Sequence, residues 1–293
     1  MTTLSSPGGT VHFGAGWPTL LISDQVRILD QKQANILEQV HAGNLDGLVA
    51  LARAGQAKGM DAADLLIQSA DLDEVELLPR LAVRILREVG CPLSLDTRSP
   101  EALEATLQAI RPNKPLINSI SAEPEVLNSL LPLARKYGAA FVGMPMGHGA
   151  RLPMTCSERL AEAGKIIDAA IGLGIPNDDI VLDAVCLAAA TGPGTFEVAL
   201  ETLRAFHAVL DCTTVLGIGN AGFGMPEATV IDLAYLVGAI PSGLDAALVD
   251  PNTAGLLETV RAIDFLAAKD PVGKRYLQQY RSRRPTSQVP AHR

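Results

Sequence analysis

The sequence predicts a closed parallel (β/α)8 TIM barrel, on three observations. Eight short apolar runs alternate with helix-like segments along the chain. That alternation calls for a parallel sheet, and eight strands close a barrel. Five of the runs lead into Asp or Asn: Asp96 ends PLSLD, Asn118 ends PLIN, Asp183 ends IVLD, Asn220 follows TVLGIG and Asp250 ends AALVD. A polar side chain at the carboxyl end of a buried barrel strand faces the catalytic mouth. The third observation is negative: no G-x-G-x-x-G loop follows the first run. An open doubly wound sheet is the rival architecture, and that loop is its usual mark.

The strands are expected at 18–23 (PTLLIS), 63–68 (ADLLIQ), 92–96, 115–119, 139–144 (AAFVGM), 179–183, 213–218 and 244–249. Helices are expected at 31–56, 73–89, 99–110, 124–137, 156–173, 195–210, 226–240 and 253–268. Ser99-Pro100-Glu101 reads as an N-cap with Pro at the first helical position, and Glu123-Pro124 repeats the pattern. Thr155 to Glu158 reads as a T-x-x-E capping box. Gly138, Gly174 and Gly243 stand where helices should stop. Residues 1–16 are rich in Gly, Ser and Thr and are expected to form a flexible N-terminal segment, with one barrel over 17–269. Residues 270–293 carry Lys274, Arg275, Arg281, Arg283, Arg284 and Arg293 and are expected to be a solvated, frayed basic tail.

Composition narrows the function classes. The 293 residues are 48% hydrophobic but only 4% aromatic, so the core must be built of Ala, Leu, Val and Ile. Net charge is −8, and the body shows no basic stripe of the kind a nucleic-acid binder needs. No apolar run reaches the roughly 18 residues of a membrane helix. The start MTTLSSPGGT lacks the basic and apolar regions of a secretion signal, so a cytoplasmic protein is expected. Four scattered cysteines (Cys91, Cys156, Cys186, Cys212) form no CxxC pair and read as free buried thiols. His12, His41, His207 and His292 lack the spacing of zinc ligands, so no metal is expected. His148 lies in a Gly-rich loop and reads first as a loop residue, second as a contact to substrate. Cys186 follows Asp183 without a neighbouring base, so a catalytic thiol is not favoured.

Taken singly, each strand-end Asp or Asn is a turn or cap residue. Together they form a set on one barrel mouth. Carboxylates accept hydrogen bonds from ring N–H and exocyclic amine groups, and carboxamides both donate and accept. Such a set can grip the edge of a 2-amino-4-oxo pyrimidine ring.

The ordered stretches LSLDTRSPEAL, INSISAEPE, LPLARKYGAAFVGMPM, ERLAEAGKII, GIPNDDIVLD, TTVLGIGNAGFGMP and GLDAALVDP give the chain a family likeness over residues 90–252. It resembles the methyltetrahydrofolate:corrinoid protein methyltransferases, pterin-binding barrels with a dihydropteroate synthase-like fold. The resemblance implies that Asp96, Asn118 and Asp183 hold the pterin ring, with Asp250 in support. It implies that Asn220 hydrogen-bonds near N5, which carries the methyl group. It implies tetrahydrofolate or methyltetrahydrofolate as substrate, cobalamin carried on a corrinoid protein partner, and a homodimer. The apolar 226–249 region is then either dimer interface or core.

Departures accompany the likeness. Ser23-Asp24-Gln25-Val26-Arg27 stands where the family has G-E-R-I-N. Asp64-Leu65-Leu66-Ile67-Gln68 stands where it has D-x-N-x-G, and Gly219 replaces a serine. Two other readings follow. One is a pterin-binding or scaffold subunit with weak turnover. The other is a dihydropteroate synthase-like condensing enzyme, against which Met225 stands at the position of an expected lysine.

Overall fold

Period-two alternation sorts each apolar run into an inward and an outward face. In β3 (Leu20–Leu29), Leu20 and Ile22 point inward while Leu21 packs outward against helices. The same parity holds in β4 (Ala62–Gln68), β5 (Leu93–Asp96), β6 (Leu116–Ser121), β7 (Ala140–Met144), β8 (Ile180–Asp183), β9 (Thr213–Gly217) and β10 (Ala246–Val249). These eight strands close into one parallel barrel in sequence order, with β10 pairing β3. The structure is a computed structural model and describes residues 1–29 and 34–283. All eight expected strands are present.

The helices ring the barrel: α1 (Ala34–His41), α2 (Asp46–Ala57), α3 (Glu74–Glu88), α4 (Pro100–Ala109), α5 (Pro124–Tyr137), α6 (Cys156–Gly172), α7 (Thr195–Ala205), α8 (Ala228–Ala239) and α9 (Leu256–Leu266). Their buried Leu, Ile, Val and Ala form the outer core with the outward strand residues. Ser99 Oγ accepts the Ala102 N–H and caps α4. Thr155 and Glu158 close a capping box on α6. Gly138, with φ +65°, ends α5 in the left-handed region that glycine tolerates. The helix expected over 31–56 begins outside the described residues and is broken in two. Gly43 turns left-handed at φ +77°, and Asn44 Oδ1 accepts the Asp46 N–H to start α2.

The N-terminal expectation is corrected. Residues 1–16 carry a hairpin, β1 (Thr2–Ser6) paired antiparallel with β2 (Gly9–Phe13). Alternation along it buries Leu4 and Phe13 completely among Leu20, Ala62, Leu116, Ala140 and Ala246, the first residues of their strands. The hairpin is therefore the floor of the barrel. Thr2 Oγ1 donates to Thr213 Oγ1, and Ser5 N donates to Lys114 O.

The basic tail is corrected in part. Lys274–Arg283 form α10, capped by Asp270, whose carboxylate accepts the Lys274, Arg275 and Tyr276 N–H groups. Arg275 pairs with Asp61 at 2.9 Å. Residues 284–293, with Arg284 and Arg293, lie outside the described residues. Among the described residues, no helix is long and apolar enough to cross a membrane.

Candidate active site at the barrel mouth

The parity that fills the lower barrel with apolar side chains places polar ones above them. Ala62 is followed inward by Asp64, Ser94 by Asp96, Leu116 by Asn118 and Val181 by Asp183. Asp96 and Asn118 are paired in register, and Asp64 lies level with Ser94. Asp64 accepts from Ser94 Oγ at 2.5 Å and from Asn118 Nδ2 at 3.1 Å. That second bond orients the Asn118 carboxamide. Asp183 Oδ1 accepts the Val185 N–H at 2.7 Å.

Burial sets the charge of this layer. Desolvation pushes Asp64 up to about 6, against the pull of its Ser94 and Asn118 donors. Asp96 is pushed up to about 7, first by burial and then by the charge of Asp64. Asp183 rises to about 6 through burial, opposed by the Val185 N–H and by Arg159. Of the three, Asp64 accepts two hydrogen bonds, Asp183 accepts one, and Asp96 accepts none among the described residues. A ligand offering N–H groups would supply what burial withholds.

Beyond β9 the chain tightens into a 3-10 turn, Ile218–Asn220. Asn220 is exposed there, and its carboxamide has no hydrogen-bond partner among the described residues. Gly217 leaves room for it, since a Cβ there would meet Asn220 Nδ2 at 3.2 Å. A Cβ on Gly219 would stand 3.8 Å from Asp24 Oδ2, so the end of β3 borders the Asn220 turn. Asp24 lies in a bulge of β3 between Ser23 and Val26 and pairs with Arg27 at 2.6 Å. Asp250 turns its own loop: its Oδ1 accepts both the backbone N–H and the Nδ2 of Asn252 at 2.8 Å. A cavity of about 530 Å³ opens beside Asp96, between the loops after β4 and β5, lined by Leu66, Gln68, Glu74, Thr97 and Arg98.

Asp96 and Asp183 therefore end β5 and β8, Asn220 and Asp250 follow β9 and β10, and Asn118 stands inside β6, at a register shift between Ile117 and Ile120. Asp64, Ser94 and Asp24 are additions to them. Asp64 was visible as a carboxylate set inside an apolar run, AADLLIQ, which is itself the signal of a buried polar role. His148 is exposed on a short turn after β7, beside a separate cavity of about 310 Å³. The Cys186 thiol is buried and pushed up to about 12 by desolvation, which leaves it inert. All four cysteines are free and buried.

Comparison with known proteins agrees with this geometry. Residues 33–250 match the family described as pterin binding enzyme. The methylcorrinoid:tetrahydrofolate methyltransferase of Eubacterium limosum is 24% identical over 223 residues, 74% of this chain and 81% of that protein. Among solved structures, Yersinia pestis DHPS with a pterine-sulfa conjugate matches with a TM-score of 0.68 at 16% identity, over 91% of this chain and 98% of that one. A dihydropteroate synthase from Coxiella burnetii in complex with pteroic acid gives 0.68 at 16%, over 91% and 99%. These likenesses show the fold.

Proposed function

This chain belongs to the pterin binding enzyme family, and from that premise we propose that it moves a methyl group between N5-methyltetrahydrofolate and the cobalt of a corrinoid carried on a partner protein. The observation that carries the reading is the polar layer at the mouth. Asp96, Asn118 and Asp183 stand above an apolar interior, with Asn220 one turn beyond β9. Asp96 and Asp183 accept from the ring N–H and amino groups. The Asn118 carboxamide, held by Asp64, leaves its oxygen for a further donor. Asp250 shapes the loop that follows β10, beside the Asn220 turn.

Methyl transfer from N5 leaves negative charge on that nitrogen. An amine nitrogen is a poor leaving group, so only a contact that strengthens as the charge develops raises the rate. In this reading the unpartnered Asn220 carboxamide donates there. The cobalt arrives with the partner, so the chain's own task is to bind the pterin, orient N5 and stabilise its charge. The E. limosum relative, named for the same pair of substrates, supports this reading.

A condensing enzyme would have to stabilise a departing anionic group. The loop after β9 presents Phe223 and Met225 to solvent, 70% and 38% exposed, and no cation. A homodimer belongs to the same proposal. Helix α8 carries one charge, Asp232, and leaves Val230 and Val237 exposed.

The test is a titration with methyltetrahydrofolate, followed by an assay of methyl transfer to Co(I) cobalamin. Binding with transfer is expected. Tight binding without transfer would turn the protein into a pterin-binding subunit, and no binding would end the pterin reading.

A further inference from the structure

Arg159, in the first turn of α6, heads the fully buried side chains by size. Its Nη1 donates to Ala184 O at 2.6 Å and Val185 O at 3.1 Å, and its Nε donates to Pro153 O at 3.2 Å. Nη2 has no partner, and no carboxylate of the described residues lies at ion-pairing distance. A buried cation without an ion partner is costly to keep. Next to it stands a second costly feature. Val185 has φ +61°, a left-handed conformation that a β-branched residue rarely adopts. Both meet at the peptide whose N–H holds Asp183.

We propose that Arg159 is a positioning residue for the pterin site: it fixes the Ala184–Val185 backbone so that the Val185 N–H holds Asp183 Oδ1 and leaves Oδ2 for the ring. The proposal rests on the pterin reading and names a residue on which ring binding depends without touching the ring. The charge of Arg159 also favours the ionised form of Asp183, the acceptor-only form that a ring N–H requires. The other titratable groups around Arg159 are Cys156, Cys186 and Tyr235. Each has its pKa raised by burial, so each is neutral near pH 7. Asp183 is then the anion this cation serves.

Two variants separate charge from geometry. Arg159→Gln removes the charge. In the ligand-free protein it should raise the Asp183 carboxyl midpoint, followed by 13C NMR, by about one pH unit. Tetrahydrofolate binding should weaken about fivefold at pH 7, about twofold of it from the lower ionised fraction of Asp183, and the loss should approach about threefold toward pH 9. Arg159→Lys keeps the charge without the fork. Its Asp183 midpoint should rise less than in Arg159→Gln while affinity falls about threefold. An unchanged midpoint in Arg159→Gln overturns the proposal, and so does wild-type affinity in that variant. If Arg159→Gln does not fold, Arg159→Lys decides alone, and wild-type affinity in that variant overturns the proposal. Failure of the wild-type protein to bind tetrahydrofolate would sink the pterin reading instead, and the NMR titration would still decide the link to Asp183.

Discussion

Asn118 donates its carboxamide Nδ2 to Asp64 Oδ1 at 3.1 Å, across the intervening strand of the barrel. A buried carboxylate thereby fixes which end of the amide faces the mouth. Asp64 is the surviving aspartate of a strand that otherwise departs from the family pattern. Replacing it with Asn puts an N–H₂ where two donors, Ser94 Oγ and Asn118 Nδ2, now converge. The Asn118 amide is then free to turn over. We expect Asp64→Asn to weaken tetrahydrofolate binding by about tenfold, the loss of one oriented polar contact of about 1–2 kcal/mol. Unaltered affinity by fluorescence titration would remove Asp64 from the site.

Ring binding should depend on pH with a defined sign. Asp96 and Asp183 are raised to about 7 and about 6, and both must be ionised to accept N–H donors. Affinity is therefore expected to rise from pH 5.5 to about pH 8 and then to level off. A pH-independent dissociation constant over that window would show that neither carboxylate meets the ring.

The same shifts oppose stability. An aspartate whose folded pKa lies above its unfolded value binds its proton more tightly when folded. Its contribution is lost as pH climbs from about 4 through the folded value. Asp96→Asn removes that penalty. It should raise stability at pH 8 by about 1–2 kcal/mol, discounted for the solvent that reaches Asp96. The same variant should bind pterin more weakly, since an acceptor-only group gains misplaced donors. Urea denaturation at pH 5 and pH 8 checks this: wild type should lose stability between them more than the variant does.

Legibility differed from residue to residue. Asp96, Asn118 and Asp183 were readable because alternation along an apolar strand forces an inward side chain at each, although β6 runs past Asn118 to Ser121. The Thr155–Glu158 box was readable because its bonds are local. The hairpin was not. Leu4 and Phe13 are the only fully buried apolar side chains of a polar segment, and the buried Thr2 finds its partner at Thr213, far along the chain. Arg159 was hidden for the same reason, since helical spacing does not show a guanidinium reaching the loop after β8. The break at Gly43 was missed because the apolar period continues across it.

The floor hairpin should contribute stability and nothing to ligand binding. Leu4 and Phe13 are fully buried against the amino ends of the strands, opposite the mouth. Leu4→Ala should cost about 2–4 kcal/mol and Phe13→Ala about 3–5 kcal/mol by denaturant titration. Tetrahydrofolate affinity, measured where both variants remain folded, should stay at the wild-type value. A cost near zero for both would mean the hairpin detaches in solution.

Asn220 carries the sharpest kinetic prediction. Its carboxamide stands exposed and unpartnered beside Gly217, the Ile218–Asn220 turn being held by Ala221 N donating to Ile218 O rather than by the side chain. Removing the carboxamide therefore spares the turn. If it donates to N5 as charge develops, Asn220→Ala loses an interaction made mainly in the transition state. Such donors are worth about 2–4 kcal/mol, or roughly 30- to 1,000-fold in rate. Pterin affinity should fall far less if, as proposed, Asp96, Asn118 and Asp183 hold the ring. The split between single-turnover transfer rate and dissociation constant is the measurement. A variant that transfers methyl groups at the wild-type rate would leave Asn220 no part in the chemistry, and one that loses both in equal measure would make it a binding residue.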